Sequence, residues 1–562
     1  MSPSNIDDPT PCRIGIMCLG RTFPAWQAET IRSVLEIPGV SIDLLVIQER
    51  APEAEGKFAR IFRDPKHLLW NLYNKGLVQR RSAASRPVDL TDELAETPEV
   101  RCTPIRVGKY GERLAEGDVD AIKDRNLDLL LRFGFGILKG SVLESARYGI
   151  WSFHHGDERT YRGQPPAFWE MVDGAPVVGA ILQRITERLD AGVVLHRGHF
   201  GIVDHSYRRT RDQLFLAATD FPSIAIRRIL DGDTSIVAAA PSESKSPVRR
   251  TPGNLTMLRF LVTMARSFLK AQWNGVASAS KWTIGVAHVP ITTLIDHELP
   301  PIEWVPEQGS NRYFADPFPD PTGATSVVLV EDYDHASHRG VISSIDVDGD
   351  RKARVVLDAG VHASYPYLFE DDGVTYCVPE TYQALEVRIY RSKSFPNEWE
   401  LAGTILDGLS ALDPTIIRHD SRWWLFCTLA GTNSNTKLYA FHSKDLLSGW
   451  EPHSLNPIKS DISSSRPGGR PFRHEGHLYR PAQDSSSSYG GAIALNRVDD
   501  LTPTTFHETI VKRIRPPVTG PYRAGIHTAS GQGDLTVIDG RRDVFLFSAF
   551  RREIAARLKR LF

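Results

Sequence analysis

The stretch Trp151–Trp169, "WSFHHGDERTYRGQPPAFW", sets two histidines, a Tyr-Arg-Gly and a Gly-Gln-Pro-Pro turn between two tryptophans. It follows "DLLLRFGFGIL" (128–138). The apolar run Leu127–Phe133, bounded by glycine, reads as a buried strand of a parallel sheet. His154 and His155 therefore fall near a strand end. Upstream, "RIGIMCLG" (13–20), "AWQAETIRSVLEI" (25–37) and "SIDLLVIQE" (41–49) give strand, helix and strand, the opening of an open α/β sheet. The turn "LGRTF" carries no GxGxxG, so a dinucleotide fingerprint is missing. Downstream, "GAPVVGAILQRI" (174–185) and "DAGVVLHRGHFGI" (190–202) predict two more strands, and "QLFLAATDFPSIAIRRILDG" (213–232) predicts one helix. The Pro/Ser-rich "AAAPSESKSPVRRTPG" (238–253) has the composition of a linker.

A chain of 562 residues exceeds one core and predicts two to four domains. A net charge of −1 supplies no global basic field for nucleic acid. The five cysteines, Cys12, Cys18, Cys102, Cys377 and Cys427, form no CxxC pair; they read as reduced thiols of a cytoplasmic protein, with no metal site. The N-terminus lacks the basic-then-apolar order of a signal peptide. The segment "NLTMLRFLVTMARSFLKAQW" (254–273) carries Arg259, Arg266 and Lys270, too many charges for a membrane span. Its Leu255, Leu258, Leu261, Val262, Ala265, Phe268 and Leu269 recur at helical spacing, which predicts an amphipathic helix docked on a domain, with peripheral membrane contact as the second reading. The basic tail "RREIAARLKRLF" (551–562) shares that ambiguity.

From about Trp282 the texture changes to short aromatic and β-branched strands between Gly, Asp, Asn and Pro. The segments "YFADPFPD", "SYPYLFEDDGVTYCVPE", "LDPTIIRHDSRWWLF", "GRPFRHEGHLYRPAQ" and "AGIHTASGQGDLTVIDGRRDVFLF" repeat one order: polar anchor, strand, tight turn, aromatic strand. Marked at Asp316, Pro366, Asp413, Arg470 and His527, the steps are 50, 47, 57 and 57 residues. A period near 50 predicts a five-bladed β-propeller whose marks converge on a central channel. The expected organisation is multidomain: an α/β open sheet over 10–235, a linker and amphipathic helix over 236–280, an all-β propeller over 281–548, and a basic tail over 549–562.

The first half resembles the formyltransferase family, which includes methionyl-tRNA and sugar N-formyltransferases. The resemblance covers about 10–230. It rests on His154 after the buried strand, the loop Tyr161–Pro166, and Asp190 in "LDAG" 36 residues after His154. It implies 10-formyltetrahydrofolate as cofactor, with Phe133, Gly134, Phe135 and Gly136 against it, and acyl transfer to an amine by His154 and Asp190. The intermediate of such a reaction is an oxyanion, and a proton must leave the nitrogen. The family asparagine that donates to the oxyanion falls on Ser152, a departure for which His155 is the candidate substitute. His155, Tyr161, Arg162 and Gly163 are then acceptor-facing.

Over about 282–548 the chain resembles the N-terminal propeller domain of plant glucosamine inositolphosphorylceramide transferases and, more distantly, five-bladed-propeller glycoside hydrolases. That resemblance implies a carbohydrate site at Asp316, Glu380, Asp413, Arg480 and His527, the three acids being the types that glycoside chemistry uses. Together the two resemblances imply formyl transfer to an amino sugar or glycan precursor held by the propeller. The alternatives are a propeller glycosidase with a vestigial α/β half, or a glycan-binding protein without catalysis.

Overall fold

The computed structural model describes residues 11–49, 64–108, 110–188, 192–309 and 311–545. The chain divides into two compact units, Met1–Phe268 and Leu269–Phe562. Asp190 and the tail 549–562 lie outside the described residues.

The first unit is built on a seven-stranded sheet in the order Val193–Gly201, Val177–Arg184, Ile150–His154, Leu129–Arg132, Cys12–Cys18, Val40–Gln48, Glu99–Cys102. Strands 12–18, 40–48, 99–102, 129–132 and 150–154 run parallel, while 177–184 and 193–201 are antiparallel additions. The buried-strand reading of the opening stretch holds over Leu129–Arg132, where the three leucines are fully buried. Because 129–132 and 150–154 are parallel neighbours, with Arg132 opposite Ser152, their carboxyl ends open on the same edge of the sheet. Ligands of open α/β sheets bind outside that edge.

Three sequence expectations change here. The helix expected over 213–232 is two helices, Tyr207–Ala217 and Phe221–Leu230, because Pro222 lacks an amide hydrogen and begins a new helix in its first turn. The linker-like segment is docked: Val248–Arg249 pairs with Arg162–Gly163, and Arg162 donates to the Ser244 and Ser246 carbonyls (3.3 and 3.2 Å). Serine-rich chain whose backbone finds a strand edge gains hydrogen bonds that a free linker would give to water. The helix Asn254–Ala277 buries Met257 and Phe260, not the predicted leucine stripe; Leu255, Leu258 and Val262 are exposed. Two stripes share helical spacing, and the one carrying Phe260 meets Phe168 (4.6 Å between ring centroids). Among the described residues no helix is long and apolar enough to cross a membrane.

Among the described residues the second unit holds five antiparallel sheets. Three are built from consecutive strands: 312–319 to 354–357, 364–371 to 398–407, and 472–474 to 506–514. A fourth runs from 411–419 to 451–452, with Lys459–Ser460 added to it. The fifth joins Ser278–Ala287 and Glu303–Trp304 to Ala529–Gln532 and Leu535–Phe545, so strands from the two ends of the unit share one sheet. The first strands of three sheets bulge at Asp316-Pro317, Tyr365-Pro366 and Asp413-Pro414, where Asp316, Tyr365 and Asp413 take positive φ of 52°, 44° and 50°. A bulge re-aims one side chain out of the pleat, and repeated at one position it aims residues from several sheets at one place. Hydrogen bonds tie these inner segments together: Tyr365 Oη contacts Thr415 Oγ1 (3.0 Å) and accepts from the Gly469 N–H (2.9 Å), and Arg470 donates to the Pro319 carbonyl (2.7 Å).

Candidate functional site

In the first unit, strand alternation separates the two histidines. His154 lines a cavity of about 340 Å³ with Arg132, Ile137, Leu138, Gly163 and Gln164. His155 lines a different one of about 310 Å³ with Trp70, Tyr207, Arg211 and Phe215. Successive side chains leave a strand on opposite faces, and Gln164 borders both cavities. His155 stacks on Phe215 at 3.7 Å, and its burial, with the charges of His154 and Arg211, pushes its pKa down to about 3. It stays neutral and faces away from Ser152, so it does not supply the donor that the missing asparagine leaves open.

His154 Nε2 lies 3.3 Å from the Tyr161 carbonyl. A carbonyl only accepts, so in the neutral ring Nε2 carries the hydrogen and Nδ1 keeps the lone pair. The loop is braced on both sides. Gly163 at φ 98° sits where a Cβ would stand 2.1 Å from the Arg249 carbonyl oxygen. Trp169 Nε1 donates to the carbonyls of Gln164 (3.2 Å) and Arg250 (3.1 Å), while Trp151 is fully buried.

Ser152 is buried, and its hydroxyl accepts from Arg132 Nε (3.2 Å) and Nη2 (2.9 Å). The expected cofactor contacts Phe133–Gly136 turn elsewhere. Phe133 packs edge-on to Trp26, Gly134 donates to the Met17 carbonyl (2.9 Å), and the Phe135 and Gly136 amides bond to Gln48 and Glu112. The next two residues, Ile137 and Leu138, form the cavity wall instead. Ile137, Leu138 and Ile185 offer an apolar slot, and Gln164, Gln183 and Thr186 offer polar edges. The volume and mixed lining fit one flat heteroaromatic head such as that of a folate.

In the second unit the structure gathers most of the predicted carbohydrate residues. Asp316 Oδ1 accepts from Thr528 Oγ1 (2.7 Å) and lies 3.6 Å from His527 Nε2. The other ring nitrogen of His527 rests against Asp539, and the ring stacks on Trp282 at 4.1 Å. The ligand atoms of Asp316, His527 and Asp539 all lie within 4.8 Å of one another, a set able to hold a metal ion although the sequence offered no metal motif. Beside them, Glu380 Oε2 accepts from the Asp413 N–H (3.0 Å), and the Asp413 carboxylate takes Arg466 Nε and Gln483 Nε2, both at 2.6 Å.

Burial governs the acids. Removal from water, together with the charges of Asp413 and Asp539, lifts Asp316 to about 6 against the pull of His527. Burial and Asp413 lift Glu380 to about 8. Glu331, absent from the sequence reading, is raised well above the usual carboxylate range by burial and by Asp316, Glu380, Asp413 and Asp539. His527 is raised because Asp539 and Asp316 outweigh the desolvation of its charge. These groups sense one another as a single acidic cluster.

Arg480 is not brought there. It is 1% exposed, bonded to Glu508 through Nε (2.9 Å) and Nη2 (2.7 Å), and donates to the Ser464 and Ser465 carbonyls. Its donors are spent on the fold.

Residues 307–518 match the family model described as Glucosamine inositolphosphorylceramide transferase 1, N-terminal. The rice (Oryza sativa subsp. japonica) protein of that name is 34% identical over 210 residues, 36% of this chain and 28% of its own length. The chain thus matches little more than a quarter of that relative. The methionyl-tRNA formyltransferase of Nitratidesulfovibrio vulgaris (strain DP4) is 34% identical over 101 residues, 18% of this chain and 31% of its own. Among solved structures, Zg3597, a family 117 glycoside hydrolase from Zobellia galactanivorans, aligns at 11% identity and TM-score 0.29 over 47% of this chain and 91% of its own. Two parts of the chain are thus similar to parts of two proteins of different name.

Proposed function

We propose that the first unit transfers a formyl group from 10-formyltetrahydrofolate to the amine of an amino sugar or glycan precursor, and that the second unit, a five-bladed propeller, binds the carbohydrate. The observation that carries the reading is the convergence of His154, Gly163 and Gln164 of the loop, and Ile137 and Leu138 after the buried strand, on one cavity at the carboxyl edge of the sheet. When bound, the folate supplies the formyl carbon at an activated oxidation level. Ile137, Leu138 and Ile185 would hold its ring and keep water out. His154, with its hydrogen fixed on Nε2 by the Tyr161 carbonyl, offers the Nδ1 lone pair to take the proton that the attacking amine loses. The five-sheet order and the tied inner segments support the propeller reading. The five cysteines, free and buried, suit a cytoplasmic protein.

The test is incubation of the full chain with 10-formyltetrahydrofolate and a panel of amino sugars, read by mass spectrometry for N-formyl product. Product that disappears in His154→Ala supports the reading. A full panel without product, with folate released unchanged, refutes it.

One observation favours a second reading, glycoside hydrolysis in the second unit. Glu380 at about 8 is a carboxylic acid still protonated near neutrality, the state a general acid requires. Glycan cleavage lost in Glu380→Gln would support it.

A further inference from the structure

The cavity lined by His154 is also lined by a half-buried cation. Arg132 stands in its wall at the carboxyl end of its strand. Among the described residues it makes no ion pair. Glu112, the acid it senses at longer range, is bonded to the Gly136 N–H at 2.6 Å. The polar lining beside Arg132 is His154, Gln164, Gln183, Thr186 and Arg188, with no carboxylate among the described lining residues. A guanidinium drawn partly out of water gains from an anionic partner that meets its spare donor.

The donor count says what is left over. A guanidinium has five N–H groups. Nε and one Nη2 hydrogen go to Ser152 Oγ, and the two on Nη1 go to the carbonyls of Phe135 (3.3 Å) and Gly136 (2.5 Å). One Nη2 hydrogen remains. The hydroxyl of Ser152 accepts two charged N–H bonds, which leaves its own proton as a polarised donor with only a 3.4 Å contact to the Phe153 carbonyl. Two donors and one positive charge thus meet next to His154.

We propose that Arg132, seated on Ser152, is the anion-binding group of this cavity and holds the anionic oxygen of a one-carbon acyl group, the task that an asparagine at position 152 would otherwise perform. The inference rests on the acyl-transfer reading and deepens it by naming the residue that meets the developing negative charge. A charged, preorganised donor in a water-poor cavity stabilises an oxyanion more than a lone serine hydroxyl does. Serine, by accepting from both Nε and Nη2, aims the guanidinium.

The test uses the full chain and two probes read separately: [¹³C]formate, followed by broadening of its resonance, and tetrahydrofolate, followed by calorimetry. Formate is expected to bind the native chain and to bind Arg132→Met at least about tenfold more weakly, the usual weight of a charged hydrogen bond. Arg132→Gln, neutral but able to bond Ser152 and Gly136, carries the same test should the methionine variant not fold. It is expected to melt like the native chain and to lose formate. Formate binding that is absent from the native chain, or equal in Arg132→Gln, overturns the proposal. Formate bound through Arg132 without any binding of tetrahydrofolate keeps the anion site and overturns folate-dependent transfer. Tetrahydrofolate bound, with formate indifferent to Arg132, does the reverse.

Discussion

Replacing Arg480 by methionine separates a structural residue from a ligand-binding one. Arg480 and Glu508 have side chains 1% exposed each and share two hydrogen bonds of 2.9 and 2.7 Å. Arg480 and Lys459 hold Glu508 below the usual carboxylate range against the opposing effect of burial. Removing one partner of a buried pair costs about 3–5 kcal/mol, because the other charge stays buried and uncompensated. Here Lys459 Nζ still reaches Glu508 at 2.7 Å, which puts the cost near the lower figure. A loss of about 3 kcal/mol lowers the melting temperature of a unit this size by about 5 °C. Calorimetric melting of Arg480→Met measures it, and Glu508→Gln in the same background should recover part of the loss. A variant that melts like the native chain yet loses glycan binding would refute this assignment and return Arg480 to the carbohydrate site.

Other consequences are equally checkable. Folding takes up protons wherever an acid has a higher pKa folded than unfolded, so Glu380, raised to about 8, and Asp316, raised to about 6, make the second unit less stable as pH rises. The loss begins at the ordinary carboxylate range and ends near pH 8; Glu380→Gln should flatten the melting-temperature profile, and an unchanged slope would contradict the assignment. Gly163→Ala would push a methyl into the Arg249 carbonyl at a positive φ, and should release the 248–249 strand from the loop. Faster proteolysis within residues 240–253 is the expected result, and native-like resistance would show the pairing to be dispensable.

Much of this arrangement was legible in residues whose local chemistry is loud. The Asp-Pro and Tyr-Pro steps marked a period near 50, and the same steps turn out to be the bulges that aim Asp316, Tyr365 and Asp413 inward. "LLLR" announced a buried strand, yet its arginine looked like an ordinary strand end. Only the parallel register with Ser152 reveals that Arg132 is part of the cavity. Glu331 and Asp539 were missed because they sit in the apolar strand runs "VVLVEDYD" and "LTVIDGRRDVF", and no local signal distinguishes an acid of the buried cluster from one at the surface. The composition of 238–253 pointed to a free linker because composition reports what a segment can do alone; pairing with Arg162–Gly163 is a tertiary fact. His154 and His155 looked like one site in sequence, and strand alternation makes them two.

A working acyl-transfer site at His154 has to bind a folate. Calorimetric titration of the purified chain with a stable 10-formyltetrahydrofolate analogue, repeated on His154→Ala, tests it most directly. Micromolar binding that weakens in the variant is the expected result. No heat with either protein would contradict it, leaving the α/β unit a remodelled scaffold and moving the chemistry to the acidic cluster around Glu380.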